Sequence, residues 1–306
     1  MNLGATVPYD STAQDPSALR DFVQGLEEFG FDYLAMADHI LTVNMSLRDS
    51  GSSATRMQGY REPLVNLAYI AACTSTIGLA TSVLVLTQRQ TALVAKQAAE
   101  VDLLSGGRLR LGIGVGWSRV EFGQLGQDFH TRGRRIEEQI AVLRALWTQE
   151  SVNFHGRWHH ITEAGINPLP VQRPIPLWMG GNAEPVLRRA ARLADGWLPE
   201  GRPDGGLDEQ IARVRHYAVD AGRSPADLGI HGRLALRSSG PGDWTRQVAS
   251  WQALGVTGLS VTTSNAGCAT VGEHLNLLRR FKEAVGQAGL LPHGGGSPHG
   301  AGSQQP

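Results

Sequence analysis

The chain has 306 residues, 41% hydrophobic and 18% charged, which suits two ordinary domains or one large α/β barrel of roughly 250 residues. Lys+Arg and Asp+Glu balance at 28 each, so no global field favours nucleic acid or an anionic membrane as a partner. Cys73 and Cys268 lack metal-ligand spacing, the amino terminus lacks a signal-like apolar core, and no apolar run is membrane-length, so the expectation is a reduced cytoplasmic protein with both thiols buried.

Residues 3–7 read as a first strand ended by Pro8, and Asp15-Pro16 caps a helix to about residue 29 with Leu19, Phe22, Val23 and Leu26 on one face. Gly30 ends it, and 33–37 form a second strand running into Asp38-His39. Residues 40–61 show no periodicity, and a structureless loop of that length is usually a lid or a binding loop. A helix over 62–74 leads into 77–85, a nearly continuous apolar strand of the kind buried on both faces of a parallel sheet. A helix over 91–104 stops at Gly106-Gly107, and a strand over 109–117 carries Gly112, Gly114 and Gly116 on one face. Residues 118–130 are irregular, a helix fills 131–148, and 151–154 with 157–161 predict a small hairpin.

After a proline-rich connector, 175–179 predict a buried strand, Gly180-Gly181-Asn182 a sharp turn, and 183–194 an amphipathic helix. A strand begins at Trp197-Leu198, followed by helix 206–221, strand 228–236, helix 243–254, strand 258–262 and helix 270–288. Eight strands, almost every one followed by a helix, predict a parallel TIM (β/α)8 barrel. It would span 1–288 as a single domain with insertions at about 40–61 and 118–175, and the low-complexity stretch 289–306 is expected to be disordered.

In such a barrel the functional groups gather at strand carboxyl ends. Asp38, His39, Ser82, Trp117, Gly180, Gly181, Asn182, Glu200 and Thr262-Thr263 all fall there. His39 is a candidate proton donor or acceptor, and Asp38 is placed either to orient it or to cap a turn. The strand–Gly-Gly–helix unit at 180–182 reads as an anion site or as a tight turn. The glycines at 112–116 fail a dinucleotide fingerprint; they leave room for a flat ring, or they pack tightly in the barrel interior. Trp117 and Trp197 are stacking or core residues. Arg108, Arg110, Arg188 and Arg189 read as solvated charges, and the adjacent His159-His160 is a poor chelating pair.

Taken together, residues 27–33 (EEFGFDY) with 37–39 (ADH), 108–117 (RLRLGIGVGW), 130–135 (HTRGRR), 154–157 (FHGR), 176–182 (PLWMGGN) and 189–197 (RAARLADGW) resemble the luciferase-like oxidoreductases, specifically their coenzyme F420-dependent branch. The resemblance spans about 1–288 and implies a TIM barrel, usually a homodimer, that holds a deazaflavin or flavin at the strand carboxyl ends. It implies that His39 is the active-site histidine and that Ser82-Val83 is a non-prolyl cis peptide backing the cofactor ring. It places Gly114, Gly116 and Trp117 beside the cofactor and Gly180, Gly181 and Asn182 at its phosphate side.

Relatives that oxidise alcohols or sugar phosphates carry a glutamate where this chain has Trp117, and here only Glu121 follows, one helical turn on. That favours reduction of a C=C or C=N bond by reduced F420 over alcohol oxidation. Luciferases carry a phosphate-binding arginine where Val115 stands, which disfavours the alternative, an FMN-dependent monooxygenase. The other rivals are a cofactor-free hydrolase and a non-catalytic flavin-binding protein. The expected partner is a small organic substrate, with Glu121, Glu200 and Arg233 as polar contacts in its pocket.

Overall fold

The structure, a computed structural model, describes residues 1–12, 15–42, 59–203, 205–237 and 240–291. The expected binding loop falls largely on 43–58 and the expected tail on 292–306, both outside the described residues. In chain order the main elements are β1 (Asn2–Thr6), α1 (Pro16–Glu28), β2 (Tyr33–Met36), α2 (Pro63–Cys73), β3 (Gly78–Thr81), α3 (Thr91–Ser105), β4 (Leu109–Gly114) and α4 (Arg132–Thr148). They continue with β5 (Leu177–Gly180), α5 (Glu184–Leu193), β6 (Gly196–Leu198), α6 (Leu207–Asp220), β7 (Gly229–Ala235), α7 (Pro241–Ala253), β8 (Gly258–Thr262) and α8 (Val271–Gln287). Each strand pairs in parallel with the next, and β8 returns to β1, so the sheet closes into a TIM barrel with helices outside.

The helices form where their sequences predict. Asp15 accepts from the Ser17 amide at 2.8 Å, Pro16 opens α1, and Leu19, Phe22, Val23 and Leu26 are fully buried against the strands. Each such side chain contributes about 1.5–3 kcal/mol on burial. Thr270 and Glu273 close a reciprocal capping box on α8.

Strand alternation sorts the barrel interior into two levels. At the amino-terminal end the inward positions are large. The Trp178 ring lies where side chains on Gly196 and Gly229 would be, 2.3 and 2.4 Å from the Cβ atoms those glycines lack. Arg110 is stacked between Tyr33 and Trp178, its guanidinium carbon 4.4 and 4.5 Å from the ring centroids. His231 meets the Tyr33 hydroxyl at 3.1 Å, and burial with Arg110 nearby holds its pKa well below the usual value, so it is neutral. Above this floor the same alternation sends in Ala35, Ala80, Gly112, Gly180, Ala235 and Thr262, together with the half-buried Leu198, whose Cδ1 lies 3.2 Å from the would-be Cβ of Gly112, so the upper barrel is walled mostly by small residues and one leucine. Arg110 is therefore part of the floor rather than a solvated charge, because its strand position points inward. Arg108 is likewise held, donating to the carbonyls of Ala71, Thr74, Ile77 and Ser105.

Several boundaries differ from expectation. The apolar run 77–85 is not one strand: β3 ends at Thr81 and Leu84–Val85 re-pairs with β4, while the Ser82–Val83 peptide between them is cis, as the resemblance implied. Strand β4 ends at Gly114, because Gly116 turns at φ 74°. The irregular stretch 118–130 contains a short helix, Arg119–Gln124, capped by Ser118. The hairpin pairs Val152–His155 with His160–Ala164, three residues later than expected for its second strand, because Glu138 takes the amides of Arg157, Trp158 and His159 into the turn. Cys73 and Cys268 are free and half-buried rather than buried. Among the described residues, no helix is long and apolar enough to cross a membrane.

A Cβ on Gly112 would stand 2.1 Å from the Thr81 carbonyl oxygen, a backbone atom that cannot swing aside. Gly112→Ala is expected to destabilise the protein by about 1–3 kcal/mol. Gly286→Ala, in α8 with nothing near its would-be Cβ, is expected to be neutral or to stabilise by up to about 1 kcal/mol. Urea-denaturation midpoints of the two variants check the contrast.

Candidate active site

Strand β2 delivers Asp38 and His39 to the carboxyl-terminal mouth, and each is held by a different neighbour. Asp38 is buried, and its two oxygens accept from Arg89 Nη2 at 2.7 Å, Arg89 Nε at 3.2 Å and the Val85 amide at 2.9 Å. Arg89 also pairs with Glu62 at 2.7 Å. Asp38 therefore ties β2 to the segment after the cis peptide, and among the described residues no hydrogen bond joins it to His39.

The partner of His39 is Glu121. His39 Nδ1 lies 3.1 Å from Glu121 Oε2, while Oε1 accepts from the amides of Ile40 at 2.9 Å and Leu41 at 3.1 Å. With its side chain 1% exposed, Glu121 stands behind the histidine and does not face the open mouth. The short helix after β4 positions it, with Ser118 Oγ accepting from its amide. An ionised carboxylate only accepts, so Nδ1 carries the hydrogen and Nε2 is left for a ligand.

Aromatic rings surround this pair. The His39 ring centroid is 5.0 Å from Tyr60 and 5.8 Å from Trp117, and Tyr60 is 5.1 Å from Tyr9. Trp117 is 42% exposed, whereas Trp197 is fully buried with its indole N–H donating to the Gly181 carbonyl, so Trp197 is core. The Tyr9 hydroxyl donates to the Ala37 carbonyl and accepts from the Ala37 amide, and burial raises its pKa, so it is a neutral brace for the end of β2. Tyr9, Tyr60, Arg89 and Glu62 escaped the sequence reading. Tyr9 was findable as the second residue past the first strand; Tyr60 lies in an aperiodic stretch that gives no signal.

The strip of glycines on β4 is not open. Would-be Cβ atoms on Gly114 and Gly180 would meet Val83 methyls at 2.7 and 2.8 Å, and one on Gly116 would meet Val85 at 2.6 Å and Phe122 at 2.8 Å. The room goes to tight packing of the residues around the cis peptide, and the surface presented beside Gly114 and Gly180 is Val83. Ser82 and Val83 are themselves half-buried.

At the other rim, Gly181 turns at φ 113° with Val186 at 3.7 Å as the nearest neighbour of its would-be Cβ. Asn182 clamps the backbone of Glu200, donating to its carbonyl at 2.5 Å and accepting from its amide at 2.8 Å. The amides of Val186 and Leu187 are spent on the Ala183 carbonyl and Pro185 has none, so an anion here would meet the amides of 182–184. Glu200 is exposed, and so is Arg233, which β7 projects into the upper barrel. The site thus brings His39, Glu121 and Trp117 together, sets Val83 on Gly114 and Gly180, and leaves Asp38 outside the His39–Glu121 pair. Among the described residues no cluster could hold a metal ion.

Comparison with known proteins bears on the fold and the family. An uncharacterized protein of Mycobacterium tuberculosis is 39% identical over 170 residues, 55% of this chain and 58% of that protein, so the match spans little more than half of its length. The FMNH2-dependent dimethylsulfone monooxygenase of Pseudomonas putida is 31% identical over 152 residues, 48% of this chain and 42% of that one. The solved structure of an F420-dependent secondary alcohol dehydrogenase with an F420–acetone adduct superposes with a TM-score of 0.76 at 14% identity, covering 93% of this chain and 98% of that one, a likeness of fold. The family model for luciferase-like monooxygenases matches residues 1–241, and the chain belongs to that family.

Proposed function

We propose that the protein is an F420-dependent oxidoreductase that adds or removes a hydride at a small organic substrate, with reduction of a C=C or C=N bond as the favoured direction. The observation that carries this is the His39–Glu121 pair, a histidine with a fixed tautomer set among exposed and half-buried rings at the barrel mouth. The residues present fit a planar cofactor ring: Trp117 offers an exposed aromatic face, Val83 a methyl surface, and the Gly181 turn an uncrowded backbone. Bound reduced F420 supplies a hydride equivalent.

The chain's own residues do the rest. Glu121 keeps hydrogen on Nδ1, so Nε2 gives or takes the proton at the substrate atom that does not exchange the hydride. Trp117 and Tyr60 flank the His39 ring, and Tyr9 packs on Tyr60 behind it. Asn182, locked to Glu200, holds the turn that would face the cofactor's phosphate side. The second reading, an FMN-dependent monooxygenase, is favoured by the Pseudomonas putida relative; Val115, standing where luciferases place a phosphate-binding arginine, disfavours it.

Titration with F420 and separately with FMN, followed by quenching of tryptophan fluorescence, is expected to show micromolar binding of F420 and a weaker response to FMN. The opposite preference moves the assignment to the monooxygenase, and binding of neither overturns both. His39→Ala is expected to leave the F420 Kd within a few-fold while lowering the single-turnover hydride-transfer rate about 10²–10⁴-fold. An unchanged rate removes the proton role.

Burial pushes the Glu121 carboxyl up, but the hydrogen bonds from His39 and the Leu41 amide outweigh it and the net pKa is lowered. The stability contributed by a carboxylate with a lowered folded-state pKa is complete above the ordinary value of 4.5 and is lost as pH falls through the lowered one. Glu121→Gln is expected to flatten the acid limb of stability. Urea midpoints between about pH 6 and about pH 3.5 read this, and an unchanged slope rules it out.

A further inference from the structure

Above its floor the barrel is walled mostly by small residues and Leu198, and one long charged side chain stands among them. Arg233 shares the inward parity of His231 on β7, two residues nearer the mouth, and lies opposite Ser260 of β8 in the parallel register. Interior positions of a closed barrel are ordinarily buried, yet Arg233 is exposed, so open space lies before it. Among the described residues of the barrel strands, the other inward cation is Arg110, enclosed in the floor between Tyr33 and Trp178.

The acids around the site are already committed. Asp38 and Glu62 are taken by Arg89, and Glu121 by His39 and two backbone amides. Glu200 at the rim makes no ion pair with Arg233, and the Tyr9 hydroxyl, which feels the Arg233 charge, is occupied by both backbone groups of Ala37. Among the described residues Arg233 has neither an ion-pair partner nor a hydrogen bond. A guanidinium fork on the inward face of the upper barrel, with no ion-paired acid among the described residues, is an arrangement suited to two parallel hydrogen bonds with an anion.

We propose that the substrate of this barrel carries an oxyanion group, a carboxylate, phosphate or sulfonate, that docks on Arg233 while its reacting end lies toward His39. Tyr9 links the two ends, feeling the charge of Arg233 on one side and packing on Tyr60, next to His39, on the other. The inference rests on the oxidoreductase reading for the word substrate, but Arg233's preference for an anion is measurable without turnover.

The test is binding of benzoate, phenyl phosphate and benzenesulfonate, with neutral benzyl alcohol as control, to the full chain at constant ionic strength, read by tryptophan fluorescence. At least one anion is expected to bind about tenfold or more tightly than benzyl alcohol, and which one identifies the oxyanion. Arg233→Met should abolish that advantage, Arg233→Lys should retain part of it, and neither should change the F420 Kd. No anion preference in the parent protein, or one that survives Arg233→Met, overturns the proposal. Weakened F420 binding with unchanged anion binding also overturns it and gives Arg233 to the cofactor. If the parent protein binds F420 but shows no Arg233-dependent anion preference, this inference alone fails. If it binds neither F420 nor FMN, the cofactor reading fails instead.

Discussion

A closed eight-stranded barrel has to fill its own axis, and here the filling is uneven. Trp178, Tyr33, Arg110 and His231 occupy the amino-terminal half so fully that their neighbours on Gly4, Gly196, Gly229 and Gly258 have no side chains at all. The carboxyl-terminal half receives mostly alanine, glycine and threonine in their place, with Leu198 and Arg233 among them. The solid end is the amino-terminal one, and the direction of the strands decides which loops overlook the other. Stacking between two rings gives the Arg110 guanidinium a favourable electrostatic environment where the barrel strands place no carboxylate beside it.

Above the floor, the site is organised by buried or half-buried carboxylates, each spent on several donors. Asp38 joins the end of β2 to Arg89 and the Val85 amide, Glu121 joins the helix after β4 to His39 and the two residues that follow it, and Glu138 gathers three amides of the insertion hairpin. Removing one partner from such a set leaves a desolvated charge, which costs more than the pair contributes. The loops at the mouth are therefore cross-braced, and the position of the histidine is set by residues from two different strands.

The barrel was legible in the sequence because its strands are buried on both faces and read as apolar runs, and because glycine and proline punctuate the helices. The face of α1 could be named residue by residue for the same reason. What could not be read was anything fixed at long range. The run 77–85 carries no local sign that it breaks at Ser82–Val83, and the hairpin slips because of a glutamate on α4. Glu121 is 82 positions from His39, so no spacing rule connects them. Asp38, the nearer acid in the chain, is hydrogen-bonded to Arg89 and the Val85 amide, and the carboxylate beside His39 is Glu121. Trp117 lies beyond the end of β4 and is exposed, whereas Trp197 sits within β6 on the face turned away from the barrel axis and carries a core hydrogen bond.

Val83 occupies the volume that side chains on Gly114 and Gly180 would need, one methyl facing each strand. The three positions belong to three separate segments of the chain, but sterically they are one. A larger residue at either glycine is compatible only with a smaller one at position 83, and shrinking position 83 alone opens a void against both strands. Substitutions here must travel as a set, so descendants of this chain that reshape this wall will carry correlated changes at 83, 114 and 180.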